Sequence, residues 1–401
     1  MTPALRLVVP ALAALVFAQP RPASAQFQVQ EVREPGQTPG WTFTPSLALS
    51  SGWDSNVSMV GIDEQATDGS LSVVSPSLEA AYLGKKHWVG VGYTGSFSLY
   101  HQLDRLNTFD QYFRVDTRHL LAKRVTLNLH DSFASVPTTD AIMLSDLPFV
   151  RTGSKLNDAG ATLSVALDAH TDASATYGFT WVAFDEQSPY AGLLRGGTAH
   201  AVSGGVERRI APRWVIGANA SYRRSLIARL GEGVGIVDAS ATASYEATRT
   251  LSVSAAFGVS HVSATSLNRA QTGPAWNLAA VQHFRRATLS AAWSRSFVPA
   301  FGLGGSIQNE QVDVTLAMPA VRNRLYWQGG LSWRRHAPLL TAEQTLHALW
   351  IQTSVGYAVA RRVRLEAFYA RSQQDSLRPG GKVHRDRFGI QAVTSLPMRI
   401  K

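Results

Sequence analysis

The 401-residue chain has no cysteine, which excludes disulfides, thiolate metal sites and thiol redox chemistry. It also lacks long apolar runs. Past the N-terminal segment no stretch of about eighteen apolar side chains occurs, so no helical membrane span is expected. Charge is sparse at 16%, and the cations come one or two at a time. With no basic helix and no stacking-aromatic platform, a nucleic-acid partner is not expected. A Gly-rich phosphate loop, metal-ligand His spacing and a nucleotide fingerprint are missing too, so neither cofactor nor metal is expected.

What is present is a short basic turn that keeps returning. It reads Ala122-Lys123-Arg124-Val125, then Ala211-Pro212-Arg213-Trp214 and Thr248-Arg249-Thr250-Leu251. Later copies are Phe284-Arg285-Arg286-Ala287, Arg322-Asn323-Arg324-Leu325 and Ala360-Arg361-Arg362-Val363. Apolar and polar residues alternate after each: Val125, Leu127 and Leu129 point one way, Thr126, Asn128 and His130 the other. Period two marks a strand whose faces meet different solvents. Each turn joins two segments of about ten residues, the length of a tilted membrane-crossing strand. The pattern predicts an all-β transmembrane antiparallel up-and-down barrel of about eighteen strands, sixteen being the alternative count. Short turns alternate with long Gly-, Pro- and Ser-rich loops, which places the turns in the periplasm and the loops outside. Mean hydropathy is near zero, at -0.05, as expected when every lipid-facing residue is matched by a lumen-facing one.

The N-terminus reads as a cleaved secretory signal over residues 1–25. Arg6 supplies positive charge, Leu7 to Ala18 the apolar run, and Ala23-Ser24-Ala25 a small-residue cleavage site. Residues 26–40 read as a flexible periplasmic leader, and 41–401 as the barrel. The net charge is +10; Arg6 and Arg21 leave with the signal, so the mature chain carries +8. Pro76 lies mid-strand, where a bulge is expected because proline donates nothing to a ladder. Tyr82, Trp88, Trp214, Tyr245, Phe284, Tyr326, Trp327 and Tyr357 are expected to form an aromatic girdle at the turn end.

The first strand, Thr44-Pro45-Ser46-Leu47-Ala48-Leu49, breaks at Gly52-Trp53-Asp54-Ser55-Asn56-Val57. That beginning resembles the outer-membrane β-barrel porin families of Gram-negative bacteria, whose first strand commonly ends in aromatic-Asp-Ser-Asn-Val. The resemblance implies a porin-like channel for passive passage of small solutes in the cell outer membrane. Some members accompany exopolysaccharide export, so polysaccharide is a second implied cargo. Outer-membrane lipid, lipopolysaccharide and the barrel insertion machinery are the implied partners. One departure is the C-terminus, Met398-Arg399-Ile400-Lys401, where such barrels often end on an aromatic residue.

The opposite phase of the strands supplies candidate pore-lining residues. These are Arg114, Asp116, Arg118, Glu207, Arg209, Arg223, Asp313, Arg334, Arg364, Glu366 and Arg387, with Asp168, Asp238 and Glu246. Two readings apply to them: ion pairs that tie neighbouring strands, and an arginine-rich wall favouring anions. Catalysis is not expected. The alternative functions are a lipid-acting barrel enzyme and a plugged structural barrel. For the enzyme the only candidates are His130/Ser132, on the lumen phase, and His261/Ser263 on the lipid phase, with Asn268 in the following loop. The acid pairs Asp63-Glu64 and Asp185-Glu186 fall in loops, where a bridging divalent cation or plain solvation are the choices. The apolar loop Pro137 to Lys155, with Ile142, Met143, Leu144, Leu147, Phe149 and Val150, is expected to fold inward and narrow the pore.

Overall fold

The computed structural model describes residues 39–59, 66–139, 150–186, 194–227, 233–265, 269–299, 301, 306–320, 324–339, 345–375 and 381–400. Signal and leader, except for Pro39 and Gly40, lie outside them, as do Asp63-Glu64, Asn268 and residues 140–149. The alternating segments become β1 (Gly40–Asp54), β2 (Gly69–Leu83), β3 (His87–Tyr100), β4 (Thr108–Ala122), β5 (Val125–Val136) and β6 (Ser154–Ala166). Next come β7 (Thr171–Phe184), β8 (Gly197–Ala211), β9 (Trp214–Ile227), β10 (Gly233–Glu246), β11 (Leu251–Val262) and β12 (Gln271–Phe284). The last are β13 (Ala287–Pro299), β14 (Ser306–Ala320), β15 (Leu325–Pro338), β16 (Leu346–Ala360), β17 (Val363–Asp375), β18 (Lys382–Ser395) and the short β19 (Met398–Ile400).

Strands β1 to β18 each pair antiparallel with their sequence neighbours, and β1 pairs with both β2 and β18, closing a ring of 18 strands. β19 continues the line of β18 past Pro397 and pairs with the start of β1, Trp41 opposite Ile400. An even count returns the last strand to the end where β1 began. Turns of two to four residues gather at that end, and connections of five to seventeen at the other.

Burial separates the two faces. Leu49, Phe257 and Ile390 are 48%, 58% and 64% exposed on one. Asp54, Asp313, Arg334 and Arg385 are nearly inaccessible on the other. Polar inside and apolar outside inverts a soluble protein, and suits a ring standing in hydrocarbon. Ladder parity places Tyr82, Trp214, Tyr245, Phe284, Trp327 and Tyr357 on the outer face. Two members of the expected girdle are corrected. Trp88 lies opposite Arg118 and Tyr326 opposite Gly356, both on the inner face. Glycine at 356 is required there, because a Cβ would overlap the Tyr326 ring. Pro76 makes no bulge: the β2–β3 ladder skips residues 75 and 76 and resumes in unchanged register at Ser77. Register shifts occur instead beside the basic turns, at Leu120/Ala122, Arg209/Ala211 and Ala358/Ala360. Asp168 belongs to the β6–β7 turn rather than the wall. There the His170 amide donates to its Oδ1 at 2.6 Å, holding the carboxyl below its usual range.

The seam between first and last strands is locked at the long-loop end. Arg385 Nη2 and Nε reach Asp54 Oδ2 at 2.6 and 3.0 Å, with the two side chains 4% and 0% exposed. Around them the Asn56 amide donates to His384 O, the Asp386 amide donates to Ser55 Oγ, and Trp53 packs on Phe388. The Trp53-Asp54-Ser55-Asn56-Val57 sequence thus supplies the contacts that hold β1 to β18. Removing one member of a buried pair strands the other charge. Arg385→Ala is expected to lower unfolding stability by about 3–5 kcal/mol, and the double change Asp54→Leu/Arg385→Met to recover most of it. Urea unfolding of the barrel refolded in lipid vesicles measures both; a loss under about 1 kcal/mol would place the pair in water.

Candidate functional site: the lumen

Strand pleat alone sets which side chains meet in the lumen, since alternate residues share a face. By ladder parity the eleven candidate residues all lie on the inner face. They do not form one site. On β4 Arg114 grips Asp116 two residues along, with Nη2–Oδ1 at 2.9 Å, and Arg118 continues the same row. On β17 Arg364 lies over the Tyr326 ring at 5.5 Å from its centroid, while the Tyr326 hydroxyl donates to Glu366 at 2.5 Å. Across β14 and β15, Asp313 accepts from Gln311 Nε2 at 2.6 Å and sits diagonally across the ladder from Arg334. Arg387 stands opposite Asp54 at the seam. Glu207 and Arg209 on β8 and Arg223 on β9 are set apart from these groups, half-buried on the far wall.

Several lumenal groups were invisible in the linear sequence. His130 Nε2 lies 3.4 Å from Asp158 Oδ1, and Thr180 donates to Asp158 Oδ2 at 3.0 Å. The His130 ring covers Gly160 on the adjoining strand, where any side chain would collide with it. Glu79 on β2 faces the same strip. The pairings argue that much of the wall charge is neutralised locally. Desolvating an ion is costly, and a neighbouring opposite charge offsets it.

At the long-loop mouth several apolar side chains pack over the inner face. β13 parts from β12 above Arg295, the last residue of their ladder. Phe297 shares parity with the outward Trp293, yet it is only 3% exposed, packed with the inner-face residues Ile227, Val234, Ile236 and Val262. Beyond it Phe301 packs on Val182 and Ala199 of β7 and β8, and its carbonyl accepts from the Arg195 amide at 3.0 Å. Phe297 and Phe301 therefore lean over the inner faces of β7 to β11 at the long-loop end. From another side Met59 packs on Ala348 and Val383. Arg151 donates to the carbonyls of Val57 and Leu106, tying two loop bases together. Of the loop expected to fold inward, Thr138, Thr139, Val150 and Thr152 are buried; its other apolar residues lie outside the described ones.

The two His-x-Ser pairs are engaged elsewhere. His261 Nδ1 meets Thr272 Oγ1 at 2.7 Å, while Ser263 Oγ bonds the backbone N and O of Gly235 at 3.0 and 3.1 Å. Neither serine is bonded to its histidine, the contact a nucleophile needs for activation. Asp185, of the second acid pair, donates its amide to Gly153 O. Among the described residues no group of three metal-ligating side chains converges.

No family model matches the chain, and no curated protein does. Among solved structures it is similar to OccAB4 of Acinetobacter baumannii, at 9% identity and TM-score 0.46, over 90% of this chain and 100% of that one. It is similar to OccK2 (OpdF) of Pseudomonas aeruginosa in complex with glucuronate, at 11% identity and TM-score 0.47, over 90% and 98%. A third is OpdQ of Pseudomonas aeruginosa, at 7% identity and TM-score 0.45, over 90% and 98%. These TM-scores lie below 0.5, so the architecture rests on the chain's own closed ladder.

Proposed function

We propose that the protein is a porin-like channel of a Gram-negative outer membrane, passing small polar solutes through its lumen. The observation that carries the reading is the closed ring of 18 strands, apolar outside and polar inside. Side chains fill the interior of an eight-strand barrel, whereas rings of about this size leave an aqueous channel. The short turns lie in the periplasm and the long loops outside, following the length asymmetry of such barrels. Export through residues 1–25 and assembly by the barrel insertion machinery belong to the same reading. So does contact with lipopolysaccharide at the long-loop rim, where Arg295 and Arg335 stand on the outer face. Polysaccharide as cargo draws no support from the first-strand sequence, since seam closure already accounts for Asp54, Ser55 and Asn56.

The eleven inner-face residues line the path, and the β13–β14 hairpin narrows it. A weak anion preference follows from the inner-face arginines, chiefly Arg223, whose diagonal neighbour Asp238 accepts from Ser221 Oγ. The paired Arg114 and Arg364 contribute less.

Three measurements test this. The absence of native cysteine makes single-cysteine labelling clean: a cysteine at Asp104 should react on intact cells, and one at Arg249 only after permeabilisation. The reverse pattern would invert the orientation. In planar bilayers Phe297→Ala/Phe301→Ala, which frees the hairpin, should raise conductance by about two- to threefold; unchanged conductance would mean the constriction is elsewhere. Arg223→Glu should move the reversal potential in a salt gradient toward cations, by about twofold in permeability ratio at low salt and less when screened. An unaltered ratio would remove Arg223 from the conduction path.

A further inference from the structure

The mature chain's positive charge is concentrated at one end. Eleven exposed lysines and arginines sit in or beside the short turns, against three exposed acids at that level, Asp168, Asp172 and Glu246. None of the eleven is in an ion pair among the described residues. At the opposite end the exposed Arg105, Lys155, Arg224, Arg269 and Lys382 are matched by the exposed Asp68, Asp104, Asp185 and Glu186, and the rim residues Arg295 and Arg335 flank Glu310. The imbalance follows the turns, not the chain as a whole.

Two features say what the cations meet. They go round the complete circumference. Every short hairpin turn carries at least one except the β6–β7 turn, and Arg124 reaches into that sector to donate to Leu167 O at 3.2 Å. A compact protein partner would need only an arc of the rim. The cations also keep company with outward aromatics. Tyr82 precedes Lys85-Lys86, Phe284 precedes Arg285-Arg286, Tyr357 precedes Arg361-Arg362, and Trp214 follows Arg213 and stacks on Tyr245 at 4.4 Å. Outward aromatics mark the level of the interface, so cations within a few residues of them stand among or just beyond the headgroups.

We propose that the short-turn rim is a docking surface for anionic phospholipid headgroups, contacted around the whole barrel by its ring of lysines and arginines. The phosphodiester and any second headgroup charge are the recognised chemistry; each cation near such a surface gains by Coulomb attraction within a Debye length. The ring then enriches its leaflet in anionic lipid and holds the barrel at a fixed depth. This rests on the membrane placement proposed above.

The test is electron spin resonance of spin-labelled phosphatidylglycerol and phosphatidylcholine around the full barrel refolded in phosphatidylcholine vesicles. The motionally restricted fraction gives the relative association constant of the two lipids. Phosphatidylglycerol is expected to be favoured by about two- to fivefold, falling toward one in 1 M salt as screening shortens to about 3 Å. The six-fold variant K85Q/K86Q/R285Q/R286Q/R361Q/R362Q should lose most of the preference. R105Q/R269Q/K382Q, at the other end, should keep it. A preference retained by the six-fold variant, or unchanged in high salt for the unaltered protein, overturns the proposal, and the salt series decides even if that variant does not refold. No restricted lipid of either kind would instead overturn the membrane placement itself. Restricted lipid with a ratio of one overturns only the headgroup surface.

Discussion

A sheet standing in hydrocarbon cannot leave an edge open, because each unpaired amide or carbonyl there loses its hydrogen bond without water to replace it. That constraint makes β1 and β18 find one another across more than three hundred residues of chain. Nine register pairs from Ser46↔Ser395 to Asp54↔Arg387 close the ring. Backbone pairing alone does not choose the register, since a slip keeps many hydrogen bonds while moving side chains to the wrong face. The Asp54–Arg385 pair, shielded from solvent, supplies the choice. A slip by one residue would turn one of these charges toward lipid. The short Trp53-to-Val57 sequence acts as a register key for the last joint of the barrel.

Closure fixes the faces, and the faces fix the chemistry of the wall. Inward residues see no lipid, so charges are tolerated there, and several of them have company. Arg114 with Asp116, Glu366 with the Tyr326 hydroxyl, and Asp313 with Gln311 show the same solution on three separate walls. Glycine has its own part: Gly160 and Gly356 leave room for the rings of His130 and Tyr326 to lie flat against the wall instead of projecting into the lumen. A wall of paired charges and flattened rings is polar without being strongly selective. The narrowest selection therefore falls to the mouth.

Most of the fold was legible because a period of two is local. Leu47, Leu49, Val125, Leu127 and Leu129 announce their face from immediate neighbours, and the basic turns count the hairpins. What failed was also local in cause. Trp88 and Tyr326 read as girdle residues because aromatics near turns usually face lipid; only the register with Arg118 and Gly356 reveals their parity. Pro76 suggested a bulge, yet the strand keeps its register by skipping two ladder positions. The inner face could be assigned by phase, but not which arginine meets which acid, because cross-strand partners depend on stagger. Asp54 and Arg385 carry no mutual signal in sequence at all. Their meeting is a property of the closed ring.

The two ends of the barrel solve different problems. At the short-turn end tight hairpins keep the strands paired close to the rim, with register shifts beside three of the turns, so the cations stay at one level. At the other end the strands outrun their ladders. Once β13 loses β12 above Arg295, it keeps only its ladder with β14, and the apolar inner residues Ile236 and Val262 offer Phe297 a drier place. Parity assigns a face firmly only where a strand is paired on both sides. The inward packing follows from the same cause: Phe297 and Phe301, beyond the end of the β12–β13 ladder, settle onto apolar residues of the inner wall.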